Sequence, residues 1–281
     1  MIPALHNGVS ALKSVSEGLQ VLGNNIANVG SLGYKSAKAH YADNFYMHVN
    51  KAISGADGET VNTVKSSGTG VHVGSISTDF NQGVLENTGL DLDLAIQGEA
   101  LPNGGGFFEV FDPISNQFFY TRAGAFEATS EGKIVTRDAY RFGLQDVVGE
   151  NVKIGLNDNE SLLARRIEDD GKIQLIVSAD GEDLIRDSGQ VKIVNFRSPQ
   201  YLRRAGNGYY SNSSGEAGLM ENALPASGSN GKIKQFALEL SNVDLTNEFA
   251  MMITHQRSFQ AGSRVVTTSD SILSEAVNLK R

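Results

Sequence analysis

The chain has 281 residues, 24 of them basic and 32 acidic, for a net charge of −8, with 31 glycines, five prolines and neither cysteine nor tryptophan. That length allows one to three domains with cores of their own, and the lack of cysteine excludes disulfides, thiolate metal centres and a cysteine nucleophile. The acidic balance argues against nucleic acid or an anionic membrane as partner. No run approaches the ~20 apolar residues of a bilayer span, and Met1 to Gln20 lacks the apolar block of a cleaved secretory signal.

Near the N-terminus Leu5, Val9, Leu12, Val15, Leu19, Leu22 and Ile26 recur with a mean period of 3.5, which predicts a helix with a narrow, coiled-coil-like apolar seam. Gly8, Gly18 and Gly23 each weaken that helix by ~1 kcal/mol relative to alanine, so it needs a partner. Asn28, Gly30 and Gly33 end it. The period then changes to two in Leu92-Asp93-Leu94-Ala95-Ile96, Lys133-Ile134-Val135, Lys172 to Val177 and Gln190 to Val194, the pattern of short strands. Turn signals at Glu131-Gly132, Asp170-Gly171 and Asp180-Gly181 suit an antiparallel sheet, with Phe107-Phe108, Phe118-Phe119-Tyr120 and Tyr209-Tyr210 as core. Gly, Ser and Asn concentrate in 211–218 and 226–231, which read as flexible connections.

The C-terminal segment places Leu245, Met252, Phe259, Val266 and Leu273 at seven-residue intervals, with Phe249 and Val277 at companion positions and Asp244 as N-cap. Gln256, Ser263 and Asp270 make one edge of that seam polar. The expected fold is therefore α+β, with long N- and C-terminal helices forming a coiled-coil-like core domain and a central antiparallel β domain. The corresponding division is 1–36 with 240–281 as a terminal helical domain, 37–75 as an extended connector and 76–239 as a β-rich domain.

Patterns for chemistry are incomplete. Asp187-Ser188-Gly189 lacks a matching histidine context, and Ser10-Ala11-Leu12-Lys13 lacks the companion motifs of penicillin-interacting enzymes. Asp91 and Asp93 share a strand face without a third ligand nearby, Asn157 to Glu160 lacks the glycine and distal glutamate of a calcium loop, and the five histidines have no metal spacing. Gly104-Gly105-Gly106 precedes aromatics rather than a Lys-Ser/Thr pair, so it is no phosphate cradle. No catalytic, cofactor or metal site is expected.

Asn24-Asn25-Ile26-Ala27-Asn28-Val29-Gly30-Ser31-Leu32-Gly33-Tyr34-Lys35 resembles the signature that closes the first helix of bacterial flagellar rod and hook proteins. Ser241 to Leu245, Glu248-Phe249, Met252-Ile253, Gln256 to Gln260 and Val277 to Arg281 resemble the closing helix of that family. Gly83 to Leu85, Leu92 to Gly98, Tyr120 to Phe126 and Gly132 to Val135 are similar to strands of its inner β domain. The chain departs from the family at Leu90-Asp91, where Asn-Pro is common, and in the longer Glu99 to Gly105 loop.

The resemblance implies a structural axial subunit that self-assembles into the tubular hook or distal rod and joins motor torque to the filament, without enzymatic activity or cofactor. Its implied partners are copies of itself, neighbouring axial proteins and the flagellar type III export apparatus, without a cleaved signal peptide, nucleic acid or membrane insertion. The implied location is the flagellum, periplasmic or extracellular. The helical seams would be subunit interfaces, and the amides of Asn24, Asn25 and Asn28 would satisfy backbone groups of a neighbouring subunit, with Gly33 and Tyr34 completing the motif. Gly70 to Ile76 and the chain ending look closer to the hook protein, whereas the length leaves room for one β domain, as in distal rod proteins, and the balance falls on a short hook-like protein. A secreted β-rich adhesin or binding module is the alternative class, and a hydrolase using Asp91, Asp93 and Ser188 a further one. The heptad seams speak against both.

Overall fold

A computed structural model describes residues 2–54, 60–98, 102–138, 141–155, 161–179, 182–220, 224–228 and 230–279. Asn157 to Glu160, the Asp180-Gly181 turn, Glu99 to Leu101 of the long loop and the terminal Lys280-Arg281 lie outside them. The chain divides into two compact units: Met1–Ala27 with Ala37–Ser77 and Asp244–Arg281, and Asn28–Ser36 with Thr78–Val243.

The first unit contains α1 (Ile2–Ala27), β1 (Ala37–Asp43), β2 (Tyr46–Ser54), β3 (Thr60–Gly68), β4 (Val71–Thr78) and α2 (Leu245–Asn278). The segment expected to be an extended connector thus forms strands: β1 pairs with β4, and β2 pairs with β3 antiparallel from Tyr46↔Gly68 to Ser54↔Thr60. Asp244 caps α2 by accepting from the amides of Thr246 and Asn247, as its position before the first apolar residue predicts. The 34 residues of α2 span ~51 Å at 1.5 Å per residue.

Glycine fixes how α1 and α2 approach each other. A Cβ on Gly8 would stand 2.9 Å from Val266 Cγ2, one on Gly18 3.1 Å from His255 Nε2, and one on Gly262 3.3 Å from Leu12 Cδ2. Asn25 meets Glu248. Residue numbers fall on one helix as they rise on the other, so the pair is antiparallel.

This corrects the expected fold class. Among the described residues there are two α-helices against nineteen strands, and the helices form no coiled-coil core. The reason lies in which α2 residues face α1. That line carries Glu248 before Met252, His255 and Gly262 between Met252 and Val266, and Ser269 beyond them, so polar residues or glycine recur where a knobs-into-holes seam needs an apolar side chain. The helices meet instead at small residues.

The second unit is a β body built from β5 (Leu85–Asn87), β6 (Leu94–Gln97), β7 (Phe107–Asp112), β8 (Gln117–Thr121), β9 (Phe126–Ala128), β10 (Ile134–Thr136), β11 (Gly143–Leu144), β12 (Ser161–Ile167), β13 (Lys172–Ala179), β14 (Glu182–Gln190), β15 (Ile193–Val194), β16 (Arg203–Gly206), β17 (Tyr209–Ser211), β18 (Lys232–Gln235) and β19 (Ala237–Glu239). The largest sheet runs β16-β17-β8-β7-β11-β10-β9, with β15 also on β7. A three-stranded sheet runs β12-β13-β14, and β18 and β19 return to pair with β6 and β5. Period-two patterning explains the packing. On β13 Ile173, Leu175 and Val177 are buried while Gln174, Ile176 and Ser178 on the other face are only partly covered.

Alternation also divides the aromatics of β7 between two clusters. Phe108 joins Leu94, Ile96, Phe126, Ile134, Leu144 and the buried row of β13. Phe107 points the other way and meets Phe80, Phe196 and Tyr210 edge-on at 5.5–5.9 Å between centroids. Both faces of β7 are therefore dry. Phe108→Ala is expected to cost about 3–5 kcal/mol of this unit's unfolding free energy through lost burial and the cavity left behind, read from urea unfolding of the full chain. A loss under about 1 kcal/mol would contradict a packed core at this position.

Candidate assembly site

The motif that closes α1 splits its work between the two units. In the first, Asn25 is fully buried and its amide is fully engaged: Nδ2 donates to the Ala37 carbonyl at 2.8 Å and to Glu248 Oε1 at 3.1 Å, while Oδ1 accepts from the Ala37 amide at 2.9 Å. Asparagine alone among small side chains can both donate to and accept from one backbone residue while reaching a carboxylate. The sequence assigned this amide to a neighbouring copy; the structure uses it inside the chain, joining α1, β1 and α2. Burial pushes the Glu248 carboxyl above its ordinary range. A second polar contact ties β1 to α2, joining Tyr41 Oη and His255 Nε2 at 3.0 Å, and burial lowers the pKa of His255.

In the second unit, Asn28 turns the chain: its carbonyl accepts from the Ser31 amide and its Oδ1 from the Ser31 hydroxyl, both at 3.1 Å. Gly33 has φ +62°, its amide donates to the Glu239 carbonyl at 2.7 Å, and a Cβ there would stand 2.6 Å from the Arg122 carbonyl carbon. Only glycine fits both demands. The ring of Tyr34 lies under the Arg204 guanidinium at 5.1 Å, and its hydroxyl accepts from Arg204 Nη1 at 3.2 Å. Asn24 is exposed on the last turns of α1.

Beside Gly33 lies a charged cluster that sequence reasoning missed. Glu239 on β19 receives Lys35 Nζ at 2.6 Å and the Gly83 amide at 2.7 Å on Oε1, and Arg122 Nη1 at 3.0 Å on Oε2; Lys35 also donates to the Asn81 carbonyl at 2.7 Å. All three charged side chains are wholly buried. Burial opposes the charge of Glu239, but Arg122, Lys35 and the hydrogen bonds from Lys35 and Gly83 outweigh it and hold the carboxyl below its ordinary range. One carboxylate faces two cations, so a positive charge is left over in a dry site. Lys35 is the group that yields: burial, then Arg122, bring its pKa down to about 8 against the raising effect of Glu239. A readable signal existed, since Lys35 and Arg122 are cations inside otherwise small and apolar motifs and Glu239 interrupts Ala237-Leu238.

The seam residues occupy a different environment. On α1 Leu5, Leu12, Val15, Leu19, Leu22 and Ile26 are half-buried and Val9 is exposed. On α2 Met252, Val266 and Leu273 are half-buried, whereas Leu245, Phe249, Phe259 and Val277 are exposed. Met251, Ile253, Val265 and Ile272 join them in solvent, Phe249 at 47% and Ile253 at 58% exposure. Apolar side chains thus flank the α1-facing line of α2 on both sides.

The residues weighed for chemistry are spent on structure. Asp93 is buried, accepting from Thr88 Oγ1 at 2.6 Å and Arg137 Nη2 at 2.7 Å. Asp91 pairs with Arg165 at 2.9 Å, and the Ser188 hydroxyl donates to the Lys153 carbonyl. Among the described residues no group of three or more His, Asp or Glu side chains is placed to hold a metal ion, and no helix is long and apolar enough to cross a membrane.

Two measurements test this geometry. Asn25→Ala removes three bonds and strands the Ala37 backbone and the Glu248 carboxylate, so it is expected to lower monomer stability by about 1–3 kcal/mol; an unchanged monomer melt would return Asn25 to contacts between copies. The unfolded chain holds the Lys35 proton up to about 10.5 while the folded unit releases it near 8, so between those values the unfolded state binds more protons and this site's contribution to stability rises with pH. The stability of the unmodified chain relative to Lys35→Met should therefore grow across that window, by at most about 1.4 kcal/mol per pH unit. A pH-independent difference would refute it.

Comparison with known proteins agrees with the resemblance of the chain's ends. Residues 102–182 match the family described as Flagellar hook protein FlgE/F/G D1 domain, and residues 234–279 match Flagellar basal body rod FlgEFG protein C-terminal. The flagellar basal-body rod protein FlgG of Bacillus subtilis is 36% identical over 285 residues, covering 100% of both chains, and that of Caulobacter vibrioides is 31% identical over 99% of each. The flagellar hook protein FlgE of Borreliella burgdorferi is 32% identical over 168 residues, 58% of this chain and 36% of that protein. Matched end to end by such relatives, the chain belongs to the bacterial flagellar hook and basal-body rod family and is a structural subunit of the flagellar axis.

Proposed function

We propose that this chain is a subunit of the basal-body rod, polymerising with copies of itself through the apolar residues its terminal helices leave in solvent. The exposed side chains of Phe249, Met251, Ile253, Phe259, Val265 and Ile272 on α2 carry the reading. A helix with its apolar residues confined to one face is satisfied by one partner, whereas α2 has such residues on both flanks of the face already used by α1. Neighbouring copies cover those flanks, together with Leu5, Val9, Leu12, Val15, Leu19, Leu22 and Ile26 on α1 and Leu245, Met252, Val266, Leu273 and Val277 on α2. Asn24 and Asn28 contact the adjoining copy, while Asn25, Gly33 and Tyr34 set the path of the chain.

Coverage favours rod over hook. Relatives named as rod proteins align over the whole chain, whereas the hook protein of Borreliella burgdorferi aligns over 58% of it and carries most of its own length elsewhere. The hook-like Gly70 to Ile76 lies mainly in β4, a strand of the first unit, and is outweighed by that agreement in length. Other axial proteins adjoin the polymer at its ends, and subunits reach it through the flagellum's own type III export apparatus, to a periplasmic or extracellular site. Relatives named as flagellar basal-body rod proteins support a non-enzymatic role.

Phe259→Asp tests the reading, because it places an unpaired charge where a neighbouring copy packs, at several kcal/mol. The variant is expected to raise the critical concentration for polymerisation by roughly two orders of magnitude and abolish motility on complementation, with unfolding of the β unit unchanged. Filaments or rods at wild-type concentration would overturn it.

A further inference from the structure

The chain passes between its two units at four places, after Ala27, Ser36, Ser77 and Val243. On the β side of these passages one residue, Asn242, joins three of the segments that cross. Its Oδ1 accepts from the Ser36 amide at 2.7 Å, its Nδ2 donates to the carbonyls of Asp79 at 2.9 Å and Asn81 at 3.2 Å, and its own amide donates to the Tyr34 carbonyl at 3.3 Å. Two of the segments are also bonded directly, the Asp79 amide donating to the Ser36 carbonyl at 2.8 Å. All of these bonds lie inside the second unit.

Arg204 fastens two of the same segments again, its Nη2 donating to the Lys35 carbonyl at 2.6 Å and to Thr78 Oγ1 at 3.3 Å. On the far side of one passage the next residue is held in the same way. Ser36 is the last residue of its stretch of the second unit and Ala37 the first of the first unit, and the Ala37 amide goes to Asn25 Oδ1 at 2.9 Å as the Ser36 amide goes to Asn242 Oδ1. Consecutive amides are thus each taken by an asparagine of their own unit. Asparagine suits position 242 because one short side chain presents an acceptor and two donors. Aspartate, of the same shape, would set a carboxylate against two carbonyl oxygens.

We propose that Asn242 is a positioning residue for assembly, fixing the points at which the chain leaves the β unit for its terminal helices. A copy held in a polymer by one contact offers its remaining surfaces at an effective concentration set by the stiffness of what joins them. Fixed exits also leave less freedom to be lost when a helix flank is covered, so they favour the polymer without adding a contact to it. The inference rests on the polymerisation proposed above and adds to it a residue that acts without touching the neighbouring copy.

In the full-length chain Asn242→Ala is expected to raise the critical concentration for polymerisation about tenfold. In the monomer the same variant should speed hydrogen exchange of the Ser36 amide, leave the Ala37 amide protected and keep urea unfolding of the β unit cooperative. Val110→Ala, in the core away from the exits, should lower the stability of the β unit more and still leave the critical concentration within about twofold. Asn242→Asp, of nearly the same volume, should impair assembly at least as much as Asn242→Ala, and Arg204→Ala, on an exposed strand, should shift the critical concentration the same way. If Asn242→Ala polymerises at the unmodified concentration, or its Ser36 amide exchanges no faster, the positioning role is wrong and the rod reading stands. Unmodified protein that never polymerises overturns both.

Discussion

One buried carboxylate organises the β unit. Glu239 collects a lysine 204 residues away and an arginine 117 residues away, with the Gly83 amide on the same group, while its own carbonyl takes the Gly33 amide. In stability alone such a cluster gains little over apolar residues of the same volume, because each ion gives up its hydration. Its force lies in exclusion. A register shift of β19 against β5, or a different course for Asn28–Ser36, would leave a bare charge in a dry interior, so alternative packings of these segments are removed far more strongly than the native one is favoured. Gly33 belongs to the same constraint, since a side chain at that position would push the Arg122 backbone off the carboxylate.

The two units solve the burial problem in opposite ways. In the β unit, strands alternate cleanly enough that Phe107 and Phe108 enter separate clusters, and the described core residues there are nearly solvent-free. In the helical unit no residue of the apolar seams is fully buried, and among the described residues the buried positions are Gly8, Ser14, Gly18, Asn25 and Ser269. Close approach through glycine and serine brings backbones together but leaves long side chains splayed to either side. At about 25 cal/mol per Å² of apolar surface, each large side chain left outside represents one to three kcal/mol of burial not yet realised.

That contrast explains what was legible in the sequence. Periodicity found both helices, the cap at Asp244 and, of the fifteen strands of the β unit, those near 92–96, 133–135 and 172–177, with 190–194 falling across the end of β14 and β15, because each is written locally in the spacing of apolar residues. It misjudged how the helices pair. A seven-residue repeat of Leu245, Met252, Phe259, Val266 and Leu273 specifies one apolar line, but a coiled coil needs a second, and the companion line that faces α1 is Glu248, His255, Gly262 and Ser269 rather than the line through Phe249 and Val277. Which flank wins depends on glycines in α1, information that lies more than 200 residues away. The strands of 37–75 were missed for a different reason: no position of β1 or β4 is buried, so their residues draw no core-facing row. The Glu239 cluster was invisible as a cluster, because its three charges come from segments that only the fold brings together.

The split between a dry unit and a half-buried one also bears on where the chain's stability resides. A β unit closed on its own core folds at a free energy independent of concentration. A helical pair meeting through glycines, with each glycine weakening its helix, has a smaller margin as a monomer, and on the proposed assembly that margin grows as other copies cover the exposed flanks. Stability of the ends is then a function of copy number, not of sequence alone. On the assembly proposed above, a chain built this way holds its helices less firmly as a single copy and secures them where copies accumulate. The partition of apolar residues between core and solvent is therefore not a defect of packing in the helical unit. On the proposed assembly it is the means by which polymerisation, rather than folding, completes the structure.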